Sequence, residues 1–260
     1  MTRSPWPVLL SLPVKQPLSS LFALLFLSLA VPGHADSGAP DSGSYHVSRE
    51  GKVVGTETFT FKSSGDSLII NSSVLQLYPA ANGLDTLSKE MLLVVDARDY
   101  DLRSYQSSQQ FHGQRLQRGL VMSDTSLSSY FQVNERGQGD QLVRKPGKMF
   151  VVDPQLFVLY DVICRNLHHQ TFDQRPVLLF TLGRPDTFIV ATAKDMGYEN
   201  IRWGKQAVRA RKLSIFDSEM QFFVWISSNG IMLRLEQPEF GMLVERERLV
   251  KPAKRRPPNG

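Results

Sequence analysis

From Gln221 to Gln237 the chain reads Q-F-F-V-W-I-S-S-N-G-I-M-L-R-L-E-Q, with apolar and mixed positions alternating on either side of Asn229-Gly230. Alternation at period two marks half-buried strands, and Asn-Gly supplies the two positive-φ positions of a type I′ turn. The pattern therefore predicts a hairpin with a two-residue loop. Such a loop sets Ser228 opposite Ile231, Ile226 opposite Leu233 and Val224 opposite Leu235. One face would carry Phe222, Val224, Ile226, Ile231, Leu233 and Leu235. The other would set Phe223 opposite Glu236 and Trp225 opposite Arg234.

The same period recurs through most of the chain. Tyr45 to Glu50 and Val53 to Lys62 read as a hairpin about Gly51-Lys52, with Thr56, Thr58 and Thr60 alternating against Glu57, Phe59 and Phe61. Ser63 to Ser67 and Pro79 to Gly83 are turns around a strand over Leu68 to Tyr78, and Leu87 to Asp96 follows. Further strands are expected at Arg103 to Phe111, Leu116 to Ser123 and Leu127 to Val133, separated by His112-Gly113, Asp124-Thr125 and the run Gly137 to Asp140. Val177 to Leu182 and Phe188 to Ala193 are apolar on both parities, which predicts strands covered on both faces. Arg209 to Phe216 and an edge strand at Met242 to Arg246 complete the pattern.

One segment breaks the β period. Asp153 is a good N-cap, Pro154 suits the first helical position, and Leu156, Tyr160, Ile163 and Leu167 recur at helical spacing, which predicts an amphipathic helix over 154–170. At about 1.5 Å per residue it would span roughly 25 Å. Its polar side would be Asp161, Arg165, His168 and His169, with an exposed ion pair contributing about 0.3 to 0.5 kcal/mol. The predicted fold class is mainly β: an antiparallel curved sheet or half-barrel with one long amphipathic helix packed on it.

The ends change the picture. Residues 1–35 hold only Arg3 and Lys15 as charges, then the apolar run Leu21 to Val31, then Pro32-Gly33-His34-Ala35, the layout of a signal peptide cleaved after Ala35. The run is short for a membrane span, which needs about 20 apolar residues. No cysteine follows it to carry a lipid anchor, so a soluble periplasmic protein is expected rather than an integral membrane one. Residues 36–43 read as a Ser/Gly/Pro/Asp linker, 44–250 as one β-rich domain and 251–260 as a basic, Pro-rich disordered tail.

The formal charge of +5 over 260 residues belongs mostly to those ends. Without Arg3 and Lys15 there are 28 basic and 25 acidic residues, net +3; without the four cations of the tail there are 24 and 25, net −1. A nearly neutral domain is not a nucleic-acid surface. Cys164, the one cysteine, cannot close an internal disulfide.

No Gly-rich phosphate loop, Gly-x-Ser-x-Gly elbow, His-Glu-x-x-His or Cys-x-x-Cys pair occurs, so no catalytic residue, metal ligand or cofactor is nominated and an enzyme is the less favoured reading. Cys164 with His168, His169 and Asp173 suggests a soft-metal site only faintly; a lone cysteine flanking an apolar face is usually a small hydrophobe. Asp96, Asp99 and Asp101 lack the glycine and closing glutamate of a calcium loop and read as a turn bonding its own backbone. The most suggestive set is Tyr160, Trp203, Phe223 and Trp225 with Arg234. Inside a curved sheet these residues would hold an apolar ligand with a cation at its rim. The plainer alternative, which the pattern favours, is that Trp225 and Arg234 stack on the solvent face of an ordinary sheet.

The order of parts resembles a group of exported bacterial proteins of unknown function whose curved half-barrel is similar to that of the periplasmic lipoprotein carriers. The residues that carry the resemblance are the signal peptide, the Tyr45 to Lys62 hairpin with glycines at 51 and 55, the long meander, the one helix, and Trp225-Ile-Ser-Ser-Asn-Gly230 leading into Leu233-Arg-Leu235. The resemblance transfers no site residue. Taken with the missing catalytic motifs, it leads to the expectation of a periplasmic carrier for a lipid or acyl chain. The alternatives are an envelope interaction module that recruits a protein partner through a sheet edge or the basic tail and, less favoured, an enzyme with a dispersed site.

Overall fold

Period-two patterning becomes a single sheet of fifteen strands in the computed structural model, which describes residues 41–80, 83–183 and 186–247. The segment read as a signal peptide, the start of the linker and the basic tail lie outside the described residues. In chain order the strands are β1 (Asp41–Arg49), β2 (Lys52–Ser64), β3 (Ser67–Ala80), β4 (Gly83–Asp96), β5 (Leu102–Phe111), β6 (Gln114–Met122), β7 (Ser126–Val133), β8 (Arg136–Val143) and β9 (Met149–Val152). The helix α1 (Val158–His168) follows, then β10 (Gln174–Thr181), β11 (Thr187–Trp203), β12 (Gln206–Phe216), β13 (Gln221–Ile226), β14 (Met232–Gln237) and β15 (Met242–Arg246). The linker's last residues, Asp41 to Gly43, already belong to β1.

Two meanders are stitched together at the ends of the domain. The strand order runs from β8 down to β1, then β15 down to β9. β15 is therefore an interior strand, paired with both β1 and β14, and not the edge its short length suggests. All pairs are antiparallel except β9 with β10. A parallel pair needs a crossover, and α1 is that crossover. β8 and β9, the outermost strands, are not paired to each other, so the sheet is open. β5 and β9 are far apart in this order yet lie in contact, which a flat sheet could not achieve. Tyr45, Ile70 and Tyr105 from the first meander, Phe222 and Val224 from the second, and Leu159 and Ile163 from α1 share one core.

The hairpin loops differ from expectation in an instructive way. The type I′ turn expected at Asn229-Gly230 occurs instead at Glu50-Gly51 and at His112-Gly113, where both φ angles are positive. In the final hairpin only Gly230 is left-handed (φ 78°), and Ser227 N–H bonds Ile231 O, giving a three-residue loop. The pairs Phe223 with Glu236, Val224 with Leu235 and Trp225 with Arg234 form as expected, but Ile226 faces Met232. The extra residue is a β-bulge at Leu233, and it moves that side chain to the Trp225 face while Met232 takes its place in the main core. The run Gly137 to Asp140, read as a turn, is part of strand β8; the chain turns earlier, at Asn134-Glu135.

α1 is 11 residues long, starts four residues later than expected and is buried nearly all round, Asp161 included. It is neither long nor amphipathic. Pro154 and Leu156 lie in a tight turn in which Leu156 N–H bonds Asp153 O. Asp153 is not the N-cap: one carboxylate oxygen accepts Gln155 N–H within that turn and the other receives Lys89, while a tertiary partner holds the helix start.

Candidate functional site

The sequence-nominated residues divide between two faces. Tyr160 on α1 packs edge-on against Phe222 in the main core, with ring centres 4.8 Å apart. Trp225 belongs to a second cluster on the opposite face, with Ile201, Ala210 and Leu233, flanked by Trp203, Val208 and Phe223. Tyr160 and Trp225 therefore cannot line one pocket. Trp225 is 3% exposed and donates its indole N–H to Glu199. Lys212 Nζ stands 4.6 Å from its ring centre and Arg234 5.7 Å. Arg234 is already neutralised by Glu245 at 2.7 Å and Glu236 at 3.4 Å. Trp203 donates its indole N–H to Arg246 O at 2.6 Å. This face is a laddered sheet surface, with aromatic rings and cations stacked and its carboxylates engaged.

A cleft of about 670 Å³ opens elsewhere, where the end of α1 meets β9, β10 and β11. Its apolar wall is built by Phe150, Leu167, Val177, Leu178, Phe188 and Val190. Lys145, Lys148 and Arg175 also line it, and no carboxylate does. β10 and β11 were expected to be covered on both faces. In fact Val177, Leu179 and Phe180 are buried, whereas Val190 is 69% exposed and Leu178 and Phe188 are partly open. The surplus apolarity of these strands is what lines the cleft. That was the sequence signal for the site, and it reads identically to complete burial until the tertiary structure is known.

The helix that forms part of the wall is fixed by buried ionisable side chains from distant strands. Glu57 on β2 accepts hydrogen bonds from Phe157 N–H (2.7 Å) and Val158 N–H (3.1 Å), and from Ser72 Oγ (2.6 Å). These are N–H groups that a helix start leaves unsatisfied. Burial pushes the Glu57 carboxyl up to about 8, against the pull of those donors. At the other end Arg211 on β12 donates to the carbonyls of Leu167, His168 and Gln170 at 3.0–3.3 Å and pairs with Asp195 at 2.7 Å.

Midway, Asp161 accepts Met232 N–H at 2.8 Å and receives Arg246 at 3.3 Å and Arg165 at 3.4 Å. Both guanidiniums also reach Asp41, and they lie over Phe59 and Phe61. The pair read as exposed is therefore the centre of a buried network.

Below the helix start, Asp153 receives Lys89 Nζ at 2.5 Å and Tyr105 Oη at 3.2 Å. Burial pushes the Lys89 ammonium down while Asp153 pulls it up. With each charge engaged by named partners, these groups anchor α1 and present no free acid or base to the cleft.

Cys164 lies in the main core, where burial pushes its thiol up. Among the described residues no group of three metal-ligating side chains converges. Asp96 accepts Arg98 N–H and Asp99 N–H, and Asp99 accepts Asp101 N–H, the self-bonded turn that the sequence suggested. Among the described residues no helix is long and apolar enough to cross a membrane.

Neither a family model nor a curated protein matches the chain. Among solved structures it is similar to a DUF1089 family protein from Pseudomonas aeruginosa, at 9% identity over 71% of this chain and 90% of that one, with a TM-score of 0.41.

Proposed function

We propose that this protein is a periplasmic carrier or binding protein for an apolar ligand, a lipid or acyl chain, held by a half-barrel sheet at the cleft beside α1. The observation that carries this reading is the partly exposed apolar wall of Leu178, Phe188 and Val190 in a cleft of about 670 Å³, a volume within the roughly 300–1,000 Å³ of small-molecule pockets. Exposed apolar side chains gathered in a concavity point to an occupant. Glu57, Lys89, Asp153, Asp161 and Arg211 are each engaged by named partners, which favours binding over catalysis.

Native mass spectrometry and lipid extraction of protein purified from its own periplasm test the reading. A co-purifying acyl ligand supports it. The absence of any ligand, together with no lipid that raises the melting temperature, refutes it.

A second reading rests on β8. Among the described residues its outer edge has no strand partner, and it is almost wholly exposed, with Val143 at 78%. An envelope partner could add a strand there. Cross-linking at Gln138 to a strand of another protein in the intact envelope would favour that reading.

A further inference from the structure

We propose that β8 is a self-association edge, where a second copy of this chain adds its own β8 antiparallel about a two-fold axis at Gln138 and joins two fifteen-stranded sheets into one. This goes beyond the carrier reading and gives the open edge its occupant. Among the described residues β8 (Arg136–Val143, eight residues) pairs with β7 alone, so its other side is free along its whole length. Backbone direction alternates along a strand. Arg144 N–H bonds Thr125 O on the β7 side, so the even-numbered residues before it also serve β7, and Gly137, Gly139 and Gln141 turn their N–H and C=O groups outward. Unpaired edge groups of this kind are a template for another strand, and natural edges are often blunted by lysine, proline or a bulge. β8 has none of the three.

The side chains choose the partner. Arg136, Gln138 and Asp140 share one face, opposite Val133, Phe131 and Ser129 of β7. All three are exposed, and among the described residues neither Arg136 nor Asp140 has an ion-pair partner. They carry opposite charges and stand two positions either side of Gln138. Outward-turned residues must meet outward-turned residues, so a two-fold axis passes through a residue position and not between two. With the axis at Gln138, Gly137 exchanges hydrogen bonds with the partner's Gly139, and Gly139 with the partner's Gly137. Arg136 then stands opposite the partner's Asp140, and Asp140 opposite the partner's Arg136. Both are non-hydrogen-bonded pairs, the closer kind, with Cα atoms about 4.5 Å apart. An axis at Gly139 would set Arg136 against the partner's Leu142 and Asp140 against the partner's Gln138, matching neither charge. An axis at Asp140 would set two carboxylates against each other. On the other face the seam carries Gly137 and Gly139, so backbone approaches backbone with no side chain to clash.

Sedimentation equilibrium of the purified protein tests this, with the fold of each variant checked by circular dichroism. The wild type is expected to dimerise with a Kd of about 10 µM, as suits a small interface. Arg136→Asp and Asp140→Arg each set like charges opposite one another twice, and each should weaken self-association about tenfold or more. Mixed in equal amounts, the two variants should form heterodimers within about threefold of the wild-type affinity, because every charge of one then faces its opposite on the other. Added salt should weaken the wild-type dimer. Gln138→Cys brings two thiols together at the axis, and the native Cys164 is buried, so mild oxidation should yield a disulfide-linked dimer faster than Asp140→Cys does. A wild type that stays monomeric at about 100 µM overturns the proposal and leaves the carrier reading standing. Failure of the mixed variants to associate overturns the charge pairing, and faster cross-linking of Asp140→Cys overturns the register. In the intact envelope, a Gln138→Cys adduct with the mass of another protein, and none with the mass of two copies, overturns the choice of partner.

Discussion

Glu57 and Arg211 hold opposite ends of one helix: the carboxyl meets the N–H groups of Phe157 and Val158, and the guanidinium meets the carbonyls of Leu167, His168 and Gln170. Arg211 is the charge that the carbonyl end of the macrodipole attracts, whereas Glu57, protonated below about pH 8, serves the other end as a hydrogen-bond acceptor. An 11-residue helix is marginal by itself, so these two strand residues and the surrounding core keep α1 formed and keep Leu167 in the cleft wall.

Glu57 makes stability depend on pH. Its carboxyl is raised from 4.5 to about 8 in the folded protein, so between those values the folded state holds a proton that the unfolded state has released. Its contribution is complete below about pH 4.5, falls with a slope of at most about 1.4 kcal/mol per pH unit, and is lost as pH rises through about 8. Urea titrations from pH 5 to 8 should show this slope, and Glu57→Gln should flatten it relative to the wild type.

Arg211→Met removes three carbonyl bonds and the partner of Asp195 together. Asp195 remains partly hydrated, which limits the penalty, so we expect a loss of about 2–3 kcal/mol in urea denaturation. Hydrogen exchange should rise first at the amides of Arg165 to Gln170.

Lys89 and Asp153 are 3% and 2% exposed, so breaking their pair strands a charge in the core. Lys89→Met should cost about 3–5 kcal/mol. The double variant Lys89→Met/Asp153→Leu should cost less than Lys89→Met alone, although Tyr105 Oη and Gln155 N–H then lose an acceptor. A double-mutant cycle on denaturation midpoints checks both statements.

Asn229 and Gly230 separate the two possible hairpin loops. In the observed loop only Gly230 is left-handed, and a Cβ there would stand 3.1–3.2 Å from the His168 side chain. Gly230→Ala should therefore cost about 1–2 kcal/mol or more, and Asn229→Ala less than about 0.5 kcal/mol. A type I′ turn would penalise both. Thermal melts of the two variants decide it.

The sequence by itself determined that this chain is an antiparallel sheet with one helical interruption, because strand alternation, turn residues and helical spacing are local patterns that survive any tertiary arrangement. It gave the Val224 to Leu235 and Trp225 to Arg234 pairs for the same reason. It misplaced Leu233, since the longer loop and the bulge shift the faces only between Ile231 and Leu233, and it hid β8 behind glycines and β9 behind the helix that follows.

The partners of buried charge were settled only by the tertiary structure. Asp153 is a sound N-cap in local terms, yet Lys89 takes it from 64 positions away, and Glu57 caps the helix across 100. Desolvation makes a buried charge seek its best counter-charge wherever the fold brings one. By the same token, only the fold could leave Leu178, Phe188 and Val190 open to a cleft with Arg175 at its wall, where the sequence showed no more than two strands apolar on both sides.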